Sequence, residues 1–105
     1  MHVQIVDFQL KDMTESEFKD FCRGALPAMV ALPGLITKVW LSDSKTNTYG
    51  GIYIWQDRAA MEAYQRSEIY RSLGSHPNLV NISSRDFAVL DEFTRQTWVL
   101  ATASV

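Results

Sequence analysis

Cysteine is almost absent from this sequence, and its scarcity limits how the chain can be stabilised and what it can bind. Cys22 is the only cysteine among the 105 residues. An intramolecular disulfide is therefore excluded, and so is a metal site built from several thiolates. A single free thiol is typical of a reducing compartment. We therefore expect a soluble, cytoplasmic protein whose core is stabilised by packing, for which this length suffices.

Charge of one sign and long apolar runs are also lacking. Ten Lys and Arg residues nearly balance twelve Asp and Glu residues, and no block of like charge occurs. Nucleic acids and anionic membrane surfaces bind basic patches, so neither is expected as a partner. The longest apolar tract, residues 25–36, contains two prolines and is too short to span a membrane. The first residues do not resemble a secretory signal.

The motifs of the commonest catalytic and cofactor sites are missing as well. The two histidines, His2 and His76, belong to no triad motif and are not spaced as a pair of metal ligands. The sequence contains no glycine-rich motif that would bind a nucleotide phosphate. We therefore predict no metal, no flavin or nicotinamide, and no other cofactor.

What the sequence does contain is a clear alternation of strand and helix patterns. Strands are predicted over Val3–Leu10, Leu35–Leu41, Tyr49–Trp55 and Val80–Leu90. One helix is predicted to start at the capping box Thr14–Glu17, a second to cover Arg58–Arg66, and a further turn or two to follow Ser67. Pro27 is expected to kink the first helix or end it early. A bulge is expected in the last strand near Ser83-Ser84.

The order β-α-β-β-α-β predicts a ferredoxin-like α+β domain with an antiparallel sheet, over residues 1–93. Both helices cover one face of the sheet, so a second copy of the chain is the simplest cover for the other face. We therefore predict a homodimer. Residues 94–105 are apolar for a terminus and include Trp98, Val99 and Leu100. We predict that they form an arm that packs on the partner or adds an edge strand.

Three segments make the sequence similar to a known family. They are "LPGLITKVW", "GGIYIWQD" and "AMEAYQRSEIYRSL", which follow one another between residues 32 and 73. Together they resemble the YdhR-like monooxygenases of the dimeric α/β-barrel superfamily, which also contains the antibiotic-biosynthesis monooxygenases. The resemblance implies two ferredoxin-like protomers with sheets packed face to face, and a pocket in each protomer between the sheet and the helices.

The resemblance also implies a chemistry. Better-understood relatives oxidise phenolic or anthrone-type rings to quinones with oxygen and without a cofactor. In these relatives the substrate is deprotonated, and its electron-rich anion reduces oxygen directly. The protein supplies an apolar, water-poor cavity and hydrogen bonds that hold the anion.

Two other activities are disfavoured at individual positions. Haem-degrading members of the superfamily carry Asn, Trp and His where an approximate alignment places Asp7, Tyr64 and Gly74. The segment "NTYGGIYI" resembles an RNA-recognition strand, but it lacks the basic residue and two of the stacking rings.

Aromatic residues are the candidate substrate-binding residues. Trp40, Tyr53 and Trp55 either line a flat aromatic pocket or pack in the core or the dimer interface. Tyr70 either presents its hydroxyl to the pocket or is a boundary residue with a solvated hydroxyl. Strand alternation places Tyr53 and Trp55 on one face, without indicating whether that face meets the helices. The preceding pair Gly50–Gly51 is expected either to form a bulge or to let a ligand or a neighbouring backbone come close.

His76, Asp7 and Tyr64 are the candidate catalytic residues. Histidine is the residue type that titrates near neutral pH, so His76 is either a general base or an ordinary loop histidine. Asp7 is a second candidate base if it is half-buried, and otherwise an exposed edge carboxylate. Tyr64 either supplies an orienting hydrogen bond or is a boundary residue with a solvated hydroxyl. We therefore predict a cofactor-independent monooxygenase that acts on a small aromatic substrate. The alternative is a non-catalytic dimer that binds a small molecule or is purely structural.

Overall fold

The computed structural model describes residues 1–103 of the chain, and the side chains of residues 1–98. Its elements in chain order are β1 (His2–Leu10), α1 (Glu15–Val30), β2 (Leu35–Asp43), β3 (Thr48–Trp55), α2 (Arg58–Gln65), α3 (Glu68–Ser75), β4 (Leu79–Ala88) and α4 (Asp91–Ala103). Up to β4 this is the predicted ferredoxin-like α+β order, with the second helical connection divided into α2 and α3. Ser67 makes the division, because its hydroxyl accepts the N–H of Tyr70 and caps α3.

The four strands form one antiparallel sheet in the order β2-β3-β1-β4. β1 is an interior strand, with Val6 opposite Gly51 of β3 and opposite Ser84 of β4. β2 and β3 form a hairpin at one edge, and β4 is the other edge. This topology confirms the predicted fold class.

Burial along β1 alternates at every residue and identifies the two faces of the sheet. Val6 and Phe8 are buried under the helices, whereas Val3 and Ile5 lie on the opposite face and are only partly buried. Aromatic residues dominate the core. Its buried members are Val6, Phe8, Leu10, Phe18, Met29, Tyr49, Tyr53, Trp55, Met61, Tyr64 and Leu79.

α1 begins as predicted but does not end at its proline. The side chains of Thr14 and Glu17 each accept the other's backbone N–H, which completes the capping box. The expectation that Pro27 ends the helix early is wrong, because α1 continues to Val30. A kink at Pro27 stays a prediction. Pro27 falls in the last turn, and its own carbonyl accepts the N–H of Ala31. At this position proline removes one donor without interrupting the bonds that follow it.

The irregularity in β4 lies before the predicted position. Pairing with β1 shifts between Asp7 opposite Ser83 and Gln9 opposite Val80. Asn81, between them, has a positive φ of 55° and donates its side-chain amide to Gln9. The bulge is therefore at Asn81 rather than at Ser83-Ser84, because asparagine tolerates the left-handed backbone that the extra residue requires.

The terminal segment is a helix. α4 runs from Asp91 to Ala103, so residues up to Ala103 do not add an edge strand to the sheet. The predicted domain boundary after residue 93 falls within the first turn of α4. Phe93 is 62% exposed and Trp98 is 42% exposed. The side chains of Val99 and Leu100 lie outside the described residues, and whether the arm packs on a partner stays a prediction.

Candidate active site

A cavity of about 440 Å³ lies between α1, α3 and the helix-covered face of the sheet. α1 is anchored over the sheet by Phe18 near its start and Met29 near its end, both buried. Between these anchors the same stripe of the helix carries Cys22 and Ala25, which are too small to reach the sheet and line the cavity instead. This stripe of α1 is therefore fully buried only at its ends.

The floor of the cavity is made by the glycine pair of β3. Gly50 has a φ of 155°, and a Cβ at this position would collide with the carbonyl oxygen of Val6 on β1. A Cβ on Gly51 would lie 2.6 Å from Cε of Lys38 on β2. The two glycines thus make room for different neighbours: Gly50 for the β1 backbone and Gly51 for a lysine side chain.

Lys38 projects its amino group into the cavity over two aromatic rings. Its Nζ lies 3.6 Å from the centre of the Trp40 ring and 4.6 Å from that of Tyr53. The other polar neighbour of the ammonium is the Met29 sulfur at 3.9 Å. Burial lowers the pKa of Lys38 from 10.5 to about 8. Burial likewise raises the pKa of the Cys22 thiol on the facing helix.

One wall of the cavity is the ring of Tyr53, which is fixed from behind by a second tyrosine. The hydroxyls of Tyr53 and Tyr64 are 3.2 Å apart in a buried hydrogen bond, and their rings are in contact. Burial raises the pKa of Tyr53 well above its usual range and also raises the pKa of Tyr64. Both phenols therefore stay protonated, so they can donate hydrogen bonds but do not act as bases.

Trp55 is a structural residue behind this wall. It is fully buried, stacks on Tyr53 and donates its indole N–H to the side-chain oxygen of Gln4 at 3.0 Å. Gln4, also fully buried, donates in turn to Ser84 on β4. These bonds satisfy the polar atoms that burial removes from water.

The structure separates the predicted substrate-binding residues into two layers. Trp40 and Tyr53 line the cavity. Trp55 and Tyr64 support Tyr53, and Tyr70 packs the edge of its ring on Tyr64 at 5.2 Å. The sequence correctly predicted that Tyr53 and Trp55 share one face of the sheet. Only the folded sheet shows that this face is the one covered by the helices.

The two predicted bases do not line the cavity. His76 follows α3 and packs edge-on against Phe21, whose ring does line it. Nδ1 of His76 accepts the backbone N–H of Asn78, so that nitrogen is already engaged. Asp7 lies on the opposite face of the sheet, because it alternates with the buried Val6 and Phe8 on an interior strand.

Lys38 is the cavity residue that the sequence analysis missed. In "TKVW" it precedes Trp40 by two residues, so the two share a strand face. This two-residue spacing could have indicated that Lys38 accompanies Trp40 into the pocket. It does so only if their shared face meets the helices, which the sequence does not show. Among the described residues, no group of three or more side chains is arranged to hold a metal ion, and no helix is long and apolar enough to cross a membrane.

The fold and the cavity together define a class of protein: a ferredoxin-like α+β domain with an aromatic-lined pocket between the sheet and the first helix. The chain belongs to the family whose model is described as "Putative mono-oxygenase ydhR", which matches residues 3–99. A search of curated proteins finds no match for the chain.

Solved structures share the fold at low sequence identity. A protein of unknown function from Nitrosomonas europaea, NE2512, is 22% identical with a TM-score of 0.72, over 85% of this chain and 88% of that one. A mutant of the cofactor-independent oxygenase SnoaB from Streptomyces nogalater is 16% identical with a TM-score of 0.66, over 85% and 93%. A mutant of MhuD, with two manganese protoporphyrins bound per active site, is 17% identical with a TM-score of 0.68, over 86% and 95%. At these identities the likeness shows the fold alone.

Proposed function

We propose that this protein is a cofactor-independent monooxygenase that oxidises a small phenolic or anthrone-like ring with molecular oxygen. The observation that carries the proposal is the cavity itself. It is apolar, has room for a small aromatic molecule, and is walled by the faces of Trp40 and Tyr53. Membership of the mono-oxygenase family and the shared fold with a cofactor-independent oxygenase support the reaction class.

In this reaction the substrate supplies the electrons. Loss of a proton gives an electron-rich anion, which transfers electrons to oxygen. One oxygen atom enters the ring to give a quinone, and the other leaves as water with the two hydrogens that the substrate loses. The mainly apolar lining of the cavity would strengthen the electrostatic interactions that hold the anion.

The predicted site residues take different parts in this proposal. Trp40 and Tyr53 form the aromatic wall that contacts the substrate ring. Tyr64 positions Tyr53 through the hydroxyl pair, and Tyr70 and Trp55 support that arrangement from behind. His76 holds Phe21 at the cavity wall. We assign Asp7 no part in the cavity chemistry, since it lies on the far face of the sheet.

Oxygen uptake with a panel of anthrones and hydroquinones tests the proposal, together with a variant that fills the cavity. Ala25→Trp places a large ring into the space below α1, and we expect turnover to fall by about 10²-fold because the substrate is displaced. Ala63→Trp, on the exposed side of α2, is the matched control and should keep wild-type turnover. If the wild type binds such rings but consumes no oxygen with any of them, the protein is a binding protein and the monooxygenase proposal fails.

The proposal includes a homodimer in the cytoplasm, where Cys22 would stay reduced. The sheet face opposite α1 carries Val39 on β2 and Phe87 on β4, each 50% exposed in a single chain. An apolar sheet face of this kind is usually covered in solution. We propose that a second copy covers it and that α4 contributes to the contact through Phe93.

A further inference from the structure

We propose that Lys38 is the residue that accepts the proton of a bound phenol and then holds the phenolate as an ion pair against Trp40. This inference rests on the proposed function for its class of ligand. It adds a catalytic residue, and it restricts the ligand to rings that carry an ionisable hydroxyl group.

The first support is the position of the amino group. Lys38 lines the cavity, and its Nζ lies over the faces of Trp40 and Tyr53, beside the space that a ligand would fill. The neighbouring strand has no side chain at Gly51, and a Cβ there would collide with the lysine stem. The local structure therefore admits a lysine that enters the cavity rather than passing over its edge.

The second support is the missing counter-ion. Among the described residues, no carboxylate lies within ion-pair distance of Lys38. The titratable groups that face it are Cys22 on α1 and Tyr53 on β3, whose pKa values are raised and which therefore stay neutral. Asp20 lies at the cavity rim and pairs with Arg23. A buried ammonium without a protein partner is costly, and a ligand anion would supply the partner.

The proton transfer balances without any other reactant. The phenol O–H bond breaks, an N–H bond forms on Nζ, and a phenolate and an ammonium ion remain side by side. No electron moves in this step. The phenolate then donates electrons to oxygen, and a new C–O bond replaces a C–H bond of the ring. The second oxygen atom leaves as water with that C–H proton and with the proton that the ammonium returns.

The acidity of Lys38 fits this task. An exposed lysine is almost wholly protonated at neutral pH and accepts no proton. Burial lowers the pKa of Lys38 to about 8, so a useful fraction is neutral near physiological pH. The histidine that the sequence favoured is less suited, since Nδ1 of His76 already accepts a hydrogen bond and the ring lies behind Phe21.

Para-nitrophenol is the probe for a direct test, because its phenolate absorbs at longer wavelength than its phenol. At a pH below the probe's own pKa, we expect the wild type to bind it as the phenolate. Lys38→Met should abolish the phenolate absorbance or weaken binding at least tenfold. Lys45→Met, at an exposed position in the β2–β3 turn, is the matched control and should behave as wild type. Binding of the probe as neutral phenol by the wild type would overturn the proposal.

Lys38→Arg separates the two parts of the role. Arginine keeps a positive charge but does not release its proton, so this variant should bind preformed phenolate and oxidise substrate only as the substrate ionises in water. Its pH profile should therefore follow the substrate rather than the enzyme. If Lys38→Met oxidises phenols as fast as the wild type, the assignment of Lys38 is wrong although the monooxygenase proposal stands. Lysine-dependent phenolate binding without oxygen uptake would support Lys38 and contradict the monooxygenase proposal.

Discussion

The chemistry of Lys38 comes from its surroundings rather than from its residue type. The chain has four lysines, and the other three, Lys11, Lys19 and Lys45, are exposed. Lys38 alone among them is held over two aromatic rings, and its pKa is lowered by burial. Burial of Lys38 costs folding stability, whereas its proposed function requires the buried amine. We therefore expect a substitution here that raises stability to lower activity.

Replacing Lys38 with Met should therefore stabilise the protein at neutral pH. The folded-state pKa is about 8 and the unfolded value is 10.5, so the folded chain binds fewer protons than the unfolded chain between these pH values. Below pH 8, burial of the charged Lys38 lowers the free energy of unfolding of the wild type by its full amount. This loss disappears as the pH rises to 10.5. We expect Lys38→Met to gain roughly 1–3 kcal/mol at neutral pH, after allowing for the lost cation–π contacts.

Urea unfolding of both proteins as a function of pH measures this difference. The gain of Lys38→Met over wild type should shrink between pH 8 and 10.5, and other titrating groups cancel in the comparison. Lys45→Met should show no such pH-dependent gain. A Lys38→Met protein that is less stable than wild type at every pH would mean that the amine is well solvated.

At the scale of single elements, local sequence signals predicted most of the fold. The capping box at Thr14 and the turn residues around the β2–β3 hairpin act through neighbours within a few positions, so they can be read without the tertiary structure. Pro27 shows the limit of such rules, because its effect depends on how near the helix end it lies. The bulge at Asn81 depends on pairing with β1, and pairing is not local.

The candidate site was harder to predict because it is assembled by strand register. Lys38 lies opposite Tyr53 and Trp40 opposite Gly51 only because β2 pairs with β3 in one particular register. Shifting that register by one residue would turn Lys38 to the other face of the sheet. The aromatic residues were recognised as candidates from their type, whereas Lys38 and Cys22 gain their roles only from the partners that folding gives them.

The glycines give a test of this assembly. Gly50→Ala should destabilise the protein by roughly 2–4 kcal/mol, because the new Cβ collides with the β1 backbone at a positive φ. Gly24→Ala, within α1 and with no heavy atom near the added Cβ, should instead stabilise it by about 0.5–1 kcal/mol. Thermal unfolding of the two variants and of the wild type measures both changes in stability. Equal effects of the two substitutions would contradict the close approach of β3 to β1.

At the scale of the whole molecule, the two faces of the sheet have different tasks. The helix-covered face carries the cavity. The opposite face presents apolar side chains such as Val39 and Phe87 together with Asp7, and its apolar part suits association. Separating these tasks would let the dimer interface stabilise the sheet while the cavity under α1 stays accessible to a ligand.

Val39→Lys tests the proposed dimer. The side chain is half exposed in a single chain, so the fold should tolerate a lysine there. In a face-to-face dimer the same charge would be buried without a partner, and we expect the dimer to weaken by at least about 10²-fold. Ala59→Lys, on the exposed side of α2, adds the same charge away from the sheet and should leave the dimer intact. Light scattering with size-exclusion chromatography measures the mass, which should be that of two chains for the wild type and the control and of one chain for Val39→Lys. A Val39→Lys protein that remains a dimer would mean that this face of the sheet is not the interface.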